Sequence, residues 1–97
     1  MNTESVNLRR VPNPLPQGFE VKPGDFSWDT AFEGKRYLYV CLPGDTSMSA
    51  IQVQHGSPGG NRVWGWDGNE DQPTITPSIH WLEHWHGFLR AGRLESC

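Results

Sequence analysis

Two cysteines and four histidines are the residues of this chain best suited to chemistry, and three of the six converge once a single turn is granted. Ala91-Gly92 lies between Phe88-Leu89-Arg90 and Arg93-Leu94-Glu95, and glycine supplies the positive φ that a two-residue hairpin needs. Counting outward from that turn pairs Arg90 with Arg93, Leu89 with Leu94, Phe88 with Glu95, Gly87 with Ser96 and His86 with Cys97. Opposed residues have Cβ atoms about 4.5–5.5 Å apart and point to the same side. His84, two residues before His86, shares that side. A thiol and two imidazoles are therefore expected together, and Cys41, on a strand face opposite Leu38, Val40 and Leu42, is the candidate second thiol.

Such a set suits zinc, which takes four Cys or His ligands in tetrahedral geometry. The expected ligands are Cys41, His86 and Cys97, with His84 or His80 as the fourth. A bound zinc would also stabilise a domain this small. The chain has no C-x-x-C pair, however, so the competing reading is a thiol in or near the core beside surface histidines. A Cys–His nucleophile is a third reading. Cys97 ends the chain, where fraying and a terminal carboxylate oppose thiolate formation, so no enzyme is expected on that basis.

Other clusters carry less. Asp67, Glu70 and Asp71 accompany Gly68 and Asn69, which is turn chemistry without the spacing of a calcium loop. Residues 56–60 are glycine-rich but lack the Lys-Ser/Thr ending of a phosphate loop. Trp64, Trp66, Trp81 and Trp85 serve either as core filling or as an exposed aromatic surface for a protein partner.

The elements that must position these residues are short strands. Residues 37–42, 49–55, 62–66 and 74–81 read as strands with period-two alternation, broken by Pro43-Gly44-Asp45, the glycine-rich loop and Asp67-Gly68-Asn69. Pro77 marks an edge or a bulge in the last of them. Four of the eight prolines fall in the first 34 residues, which therefore read as an extended arm. Phe26, Trp28 and Phe32 would pin it to the body, with a short helical turn as the alternative for residues 28–32. The expected architecture is all-β: a small antiparallel sandwich or barrel over residues 35–97, with an extended proline-rich N-terminal arm over residues 1–34.

Ninety-seven residues suffice for one domain, and the eleven aromatic rings predict an aromatic core. A net charge of -3 argues against direct nucleic-acid binding, which needs a basic face. No apolar run approaches the ~20 residues of a membrane span, and the N-terminus does not read as a signal peptide. The expected compartment is the cytoplasm.

Three stretches carry a family resemblance: Trp64-Gly65-Trp66-Asp67-Gly68-Asn69, then Gln72-Pro73-Thr74-Ile75-Thr76-Pro77-Ser78-Ile79, then Trp85-His86-Gly87-Phe88-Leu89-Arg90-Ala91-Gly92-Arg93-Leu94. They resemble a small phage and prophage family of unknown function, some members of which carry the mistaken label ammonia monooxygenase. The shared core is Pro-Thr-x-x-Pro-Ser-Ile followed by His-x-Phe-x-x-x-Gly. Members of that family carry a Cys-x-x-Cys in an earlier strand and a cysteine before the histidine. Here Cys41 keeps one position, while Gly44 and Trp85 stand at the others. The resemblance implies a phage origin; by analogy with other small acidic phage proteins, the expectation is an accessory protein that binds a host or phage protein in the host cytoplasm and inhibits a defence or nucleic-acid-handling factor. A virion component is the second expectation, with the arm of residues 1–34 contacting a neighbouring subunit in a homo-oligomer. A Cys/His enzyme is the third.

Overall fold

The computed structural model describes residues 5–30, 35–60, 62–81 and 85–97, apart from the side chains of Thr30 and Trp81. Nine strands follow in chain order: β1 Ser5–Asn7, β2 Arg9–Arg10, β3 Asp25–Thr30, β4 Arg36–Val40, β5 Ser49–His55, β6 Trp64–Trp66, β7 Ile75–Trp81, β8 Trp85–Arg90 and β9 Arg93–Ser96. There is no helix among the described residues, so the all-β expectation holds. None, accordingly, is long and apolar enough to cross a membrane.

The strands form one sheet in the order β1-β9-β8-β7-β6-β5-β4-β3-β2. Its edge strands β1 and β2 are separated by Leu8 alone, so one extended segment, residues 5–10, joins both edges. The Leu8 amide donates to Gly92 O on one side, and the Arg9 amide donates to Gly24 O on the other. Successive amides of an extended chain point in opposite directions, and that is what makes the sheet a nearly closed barrel. Residues 5–10 and 25–30, both within the stretch expected as an arm, thus lie in the sheet. The alternative of a helical turn from Trp28 gives way to a strand through Thr30; Phe32 is outside the described residues.

Two pairings, β2 with β3 and β5 with β6, are parallel. The second requires the chain after His55 to double back over one face of the sheet before Trp64 can lie beside Val53. Gly65 makes room for that crossing. A Cβ there would collide with the Ser57 carbonyl, so the loop presses directly on the β6 backbone.

The barrel interior is mainly aliphatic, with Phe26, Trp66 and Trp85 as its aromatic members. Leu38, Val40, Leu42, Ile51, Ile75, Ile79, Leu89 and Leu94 are fully buried with Phe26, whereas Trp28 and Trp64 only pack against that cluster. The reason is the indole N–H, which needs an acceptor when buried. Trp28 Nε1 donates to Glu70 O, Trp66 Nε1 to Asn69 O, Trp64 Nε1 to Ser78 O and Trp85 Nε1 to Ser96 Oγ. These rings sit where the core meets loops and strand ends. At one end the Arg36 guanidinium lies 5.0 and 5.1 Å from the Trp28 and Trp66 rings and pairs with Glu70. Asp67 and Asn69 there accept hydrogen bonds from the loop's own backbone, as turn chemistry predicts.

Asp25 is 3% exposed at its side chain and takes a two-pronged hydrogen bond from Arg9, 2.8 Å on each arm. Burial pushes this carboxyl up, but the bonds from Arg9 and the Lys22 amide more than reverse it and leave it below the ordinary carboxylate value. The stability it confers is therefore present above the ordinary carboxylate range and is lost as pH falls through the lowered folded-state value. Asp25→Asn is expected to destabilise the fold at neutral pH and to flatten the acid limb of stability. Urea midpoints across the acid range check this; parallel acid limbs for the two proteins would contradict it.

Candidate active site on the outer face of the barrel

The hairpin of β8 and β9 forms as counted, with Gly87↔Ser96, Phe88↔Glu95, Leu89↔Leu94 and Arg90↔Arg93. Ala91 (φ 47°) and Gly92 (φ 74°) both lie in the left-handed region, the signature of a type I′ turn. The Cys97 amide donates to His86 O at 3.0 Å, so the expected pairing of these residues extends to the end of the strand.

The remaining thiol is elsewhere. The Cys41 amide donates to Asp25 O, and Asp25 is aligned with Arg9; Glu95 is aligned with Ser5, so Cys97 falls beyond it. Cys41 thus lies beside β3 and Cys97 at the end of β9, strands on opposite sides of the closing segment. Cys41 is fully buried, with Sγ 3.4 Å from Asp45 O. Burial first, then the nearby carboxylates Asp45 and Asp25, push its thiol above the ordinary value, which disfavours the thiolate that electrophiles require. Cys97 is exposed. Among the described residues no three His, Cys, Asp or Glu side chains gather to hold a metal; His84 lies outside those residues. A thiol reagent is expected to titrate Cys97 rapidly in the native protein and Cys41 only after denaturation. Equal fast reaction of both would contradict the burial.

What His86 does meet lies on β7. His80 and His86 are directly opposed, with rings stacked 4.6 Å apart at 29°. His86 Nε2 lies 3.2 Å from Ser78 Oγ. The three share the outer face because Ile79 and Gly87, their chain neighbours, turn inward. The register of β7 on β8 slips between Ile75 and Ile79, and Ser78 belongs to that irregular stretch. Bulges of this kind re-aim side chains and are enriched beside active sites. Trp64 Nε1 reaches Ser78 O at 3.4 Å. Gly87 lets the hairpin close, since a Cβ there would strike the Trp85 ring and the Glu95 carbonyl.

A hydroxyl within reach of an imidazole is the nucleophile–base half of an activated serine; the third group here, His80, packs on the imidazole ring. From the sequence, Ser78 stands only within a motif and His86 is expected as a zinc ligand beside the thiols. The signal was the Ser78-x-His80 alternation in a strand that must pair with the one carrying His86. Of the four tryptophans weighed as core or partner surface, Trp66 and Trp85 are 8% and 9% exposed and belong to the core, and Trp64 is half-buried. Trp81 ends β7 opposite Trp85.

A model of the family described as "Bacterial ubiquitination-like system serine protease (BubE)" matches residues 11–97. No curated protein and no solved structure matches the chain. The match overturns the expected phage and prophage family, the phage accessory protein that inhibits a host factor, and the virion component. It overturns equally the expectation of a non-enzyme and of a Cys/His one, because the family is defined by serine chemistry. The chain belongs to the BubE family, the serine proteases of bacterial ubiquitination-like systems.

Proposed function

We propose that this protein hydrolyses a peptide or isopeptide bond of a protein partner in a bacterial ubiquitination-like system, with Ser78 as nucleophile and His86 as general base. The observation that carries the reading is the 3.2 Å approach of His86 Nε2 to Ser78 Oγ at a bulge of the outer face. In the tautomer protonated at Nδ1, Nε2 takes the hydroxyl proton as Oγ bonds to the carbonyl carbon. Collapse of the tetrahedral species returns that proton to the departing amine and leaves an acyl ester on Ser78. Water, deprotonated by the same nitrogen, then releases the acid and restores the hydroxyl. His80 acts through His86: the stacked ring restricts rotation of the second imidazole and is a positioning group.

The exposure of the pair favours a large substrate. His86 is solvent-exposed and Ser78 half-exposed, so water screens the charges that develop in the reaction. A folded partner pressed against the outer face would exclude that water and strengthen each interaction there. The test is pre-steady-state hydrolysis of an activated peptide ester. A burst of leaving group equal to the enzyme concentration, followed by slower turnover, is the expected result. Hydrolysis that never exceeds the buffer rate would reject the assignment.

A further inference from the structure

We infer that the groove beside Ser78, lined by Ser57, Gly59, Gly60, Arg62 and Val63, is a substrate subsite in which Arg62 selects a carboxylate side chain next to the scissile bond. This rests on the assignment of Ser78 as nucleophile and adds the substrate class. The groove is a shallow, open depression of about 480 Å³, room for one or two side chains of an extended peptide. It belongs to the crossover that returns β5 to β6 over the sheet, with the Ser57 carbonyl pressed on Gly65. Gly65 is aligned with Thr76, so the groove and the bulge are neighbours. Gly59 closes the gap: a Cβ at that residue (φ +85°) would fall 2.9 Å from Pro77 Cδ, the residue before Ser78. A peptide whose carbonyl lies on Ser78 Oγ would therefore run past Pro77 into the groove.

The groove's chemistry sets what it takes. Gly60 has nothing within 4 Å of where a Cβ would stand, so its backbone is open to the backbone of a peptide. The charge is Arg62. Each of the other five arginines is already engaged: Arg9 with Asp25, Arg10 with Asp71 and Glu70, Arg36 with Glu70, Arg90 with Glu95, and Arg93 with Ser5 Oγ. Among the described residues Arg62 has no such partner, and it is exposed at the groove. In a chain of net charge -3, this exposed guanidinium is open to an acidic group from outside the molecule. A guanidinium binds carboxylates through two parallel N–H bonds, which makes a glutamate or aspartate the fitting occupant.

The experiment uses peptides with Glu, Gln or Lys at each of the three positions on either side of the scissile bond, with free and amidated C-termini. Cleavage is read as kcat/KM on the wild-type protein, and binding as anisotropy of the labelled peptides on the Ser78→Ala protein. An acidic residue at one position is expected to improve both by about three- to tenfold over Gln, as a partly screened ion pair would. The preference should vanish in Arg62→Ala and turn toward Lys in Arg62→Glu. Selectivity unaffected by either substitution overturns the subsite, as does a preference that follows only the free C-terminus. Failure of the nucleophile assignment looks different: binding selectivity would persist on the Ser78→Ala protein while the wild type cleaved nothing.

Discussion

Ser78→Ala and His86→Ala are each expected to lower kcat/KM for peptide hydrolysis by on the order of 10³-fold or more, while leaving the fold intact. Each removes one half of a single proton-transfer unit, so the double variant should be scarcely worse than either single one. Additive losses would mean that the two act separately. Neither change touches the interior, because both side chains lie on the outer face above Ile79 and Gly87. Thermal or urea midpoints should therefore move little, which separates lost chemistry from lost structure. His80→Ala is a discriminating companion. A positioning ring should affect kcat far more than KM, and His80→Phe, which retains a flat stacking partner, should recover part of the loss.

The second large effect is structural. Gly87→Ala is expected to cost about 2–3 kcal/mol, because the added methyl meets the Trp85 ring and the Glu95 carbonyl and the latter is backbone. Trp85 cannot simply rotate away, since its Nε1 is bonded to Ser96 Oγ at 2.8 Å across the same hairpin. Gly60→Ala is the control, with open space around the added carbon, and should change the urea midpoint by only a few tenths of a kcal/mol. Equal midpoints for the two variants would show that the β8–β9 packing is looser than described. Because Gly87 follows His86, this variant should also lose activity before it unfolds.

What was legible in the sequence was local. The Ala91-Gly92 turn fixed the β8–β9 register because a two-residue loop permits little else, and Leu38, Val40, Ile51 and Val53 declared the inner face by alternation. Pro77 correctly marked an irregularity. What was hidden depends on distant partners. Nothing near Leu8 announces that residues 5–10 bridge β9 and β3, and without that closure Cys41 and Cys97 cannot be seen to lie on opposite sides of the closing segment. The parallel return of β6 onto β5 is likewise invisible, since Gly65 reveals its purpose only when the Ser57 carbonyl is in place. Ser78 was overlooked for a chemical reason. Thiols advertise reactivity by type alone, whereas a serine becomes a nucleophile only through its neighbour, and that neighbour was already claimed for zinc. Trp66 and Trp85 fill the core as their area argues, while Trp28 and Trp64 only pack against it, with their N–H groups bonded to acceptors at its rim.

The most direct measurement is covalent. Incubated with a fluorophosphonate, which phosphonylates only hydroxyls activated by a nearby base, the native protein should gain one adduct, and peptide mapping should place it on Ser78. His86→Ala should abolish the labelling. An adduct on any other serine, or none at all, would mean that the outer-face pair is not the reactive centre of this barrel.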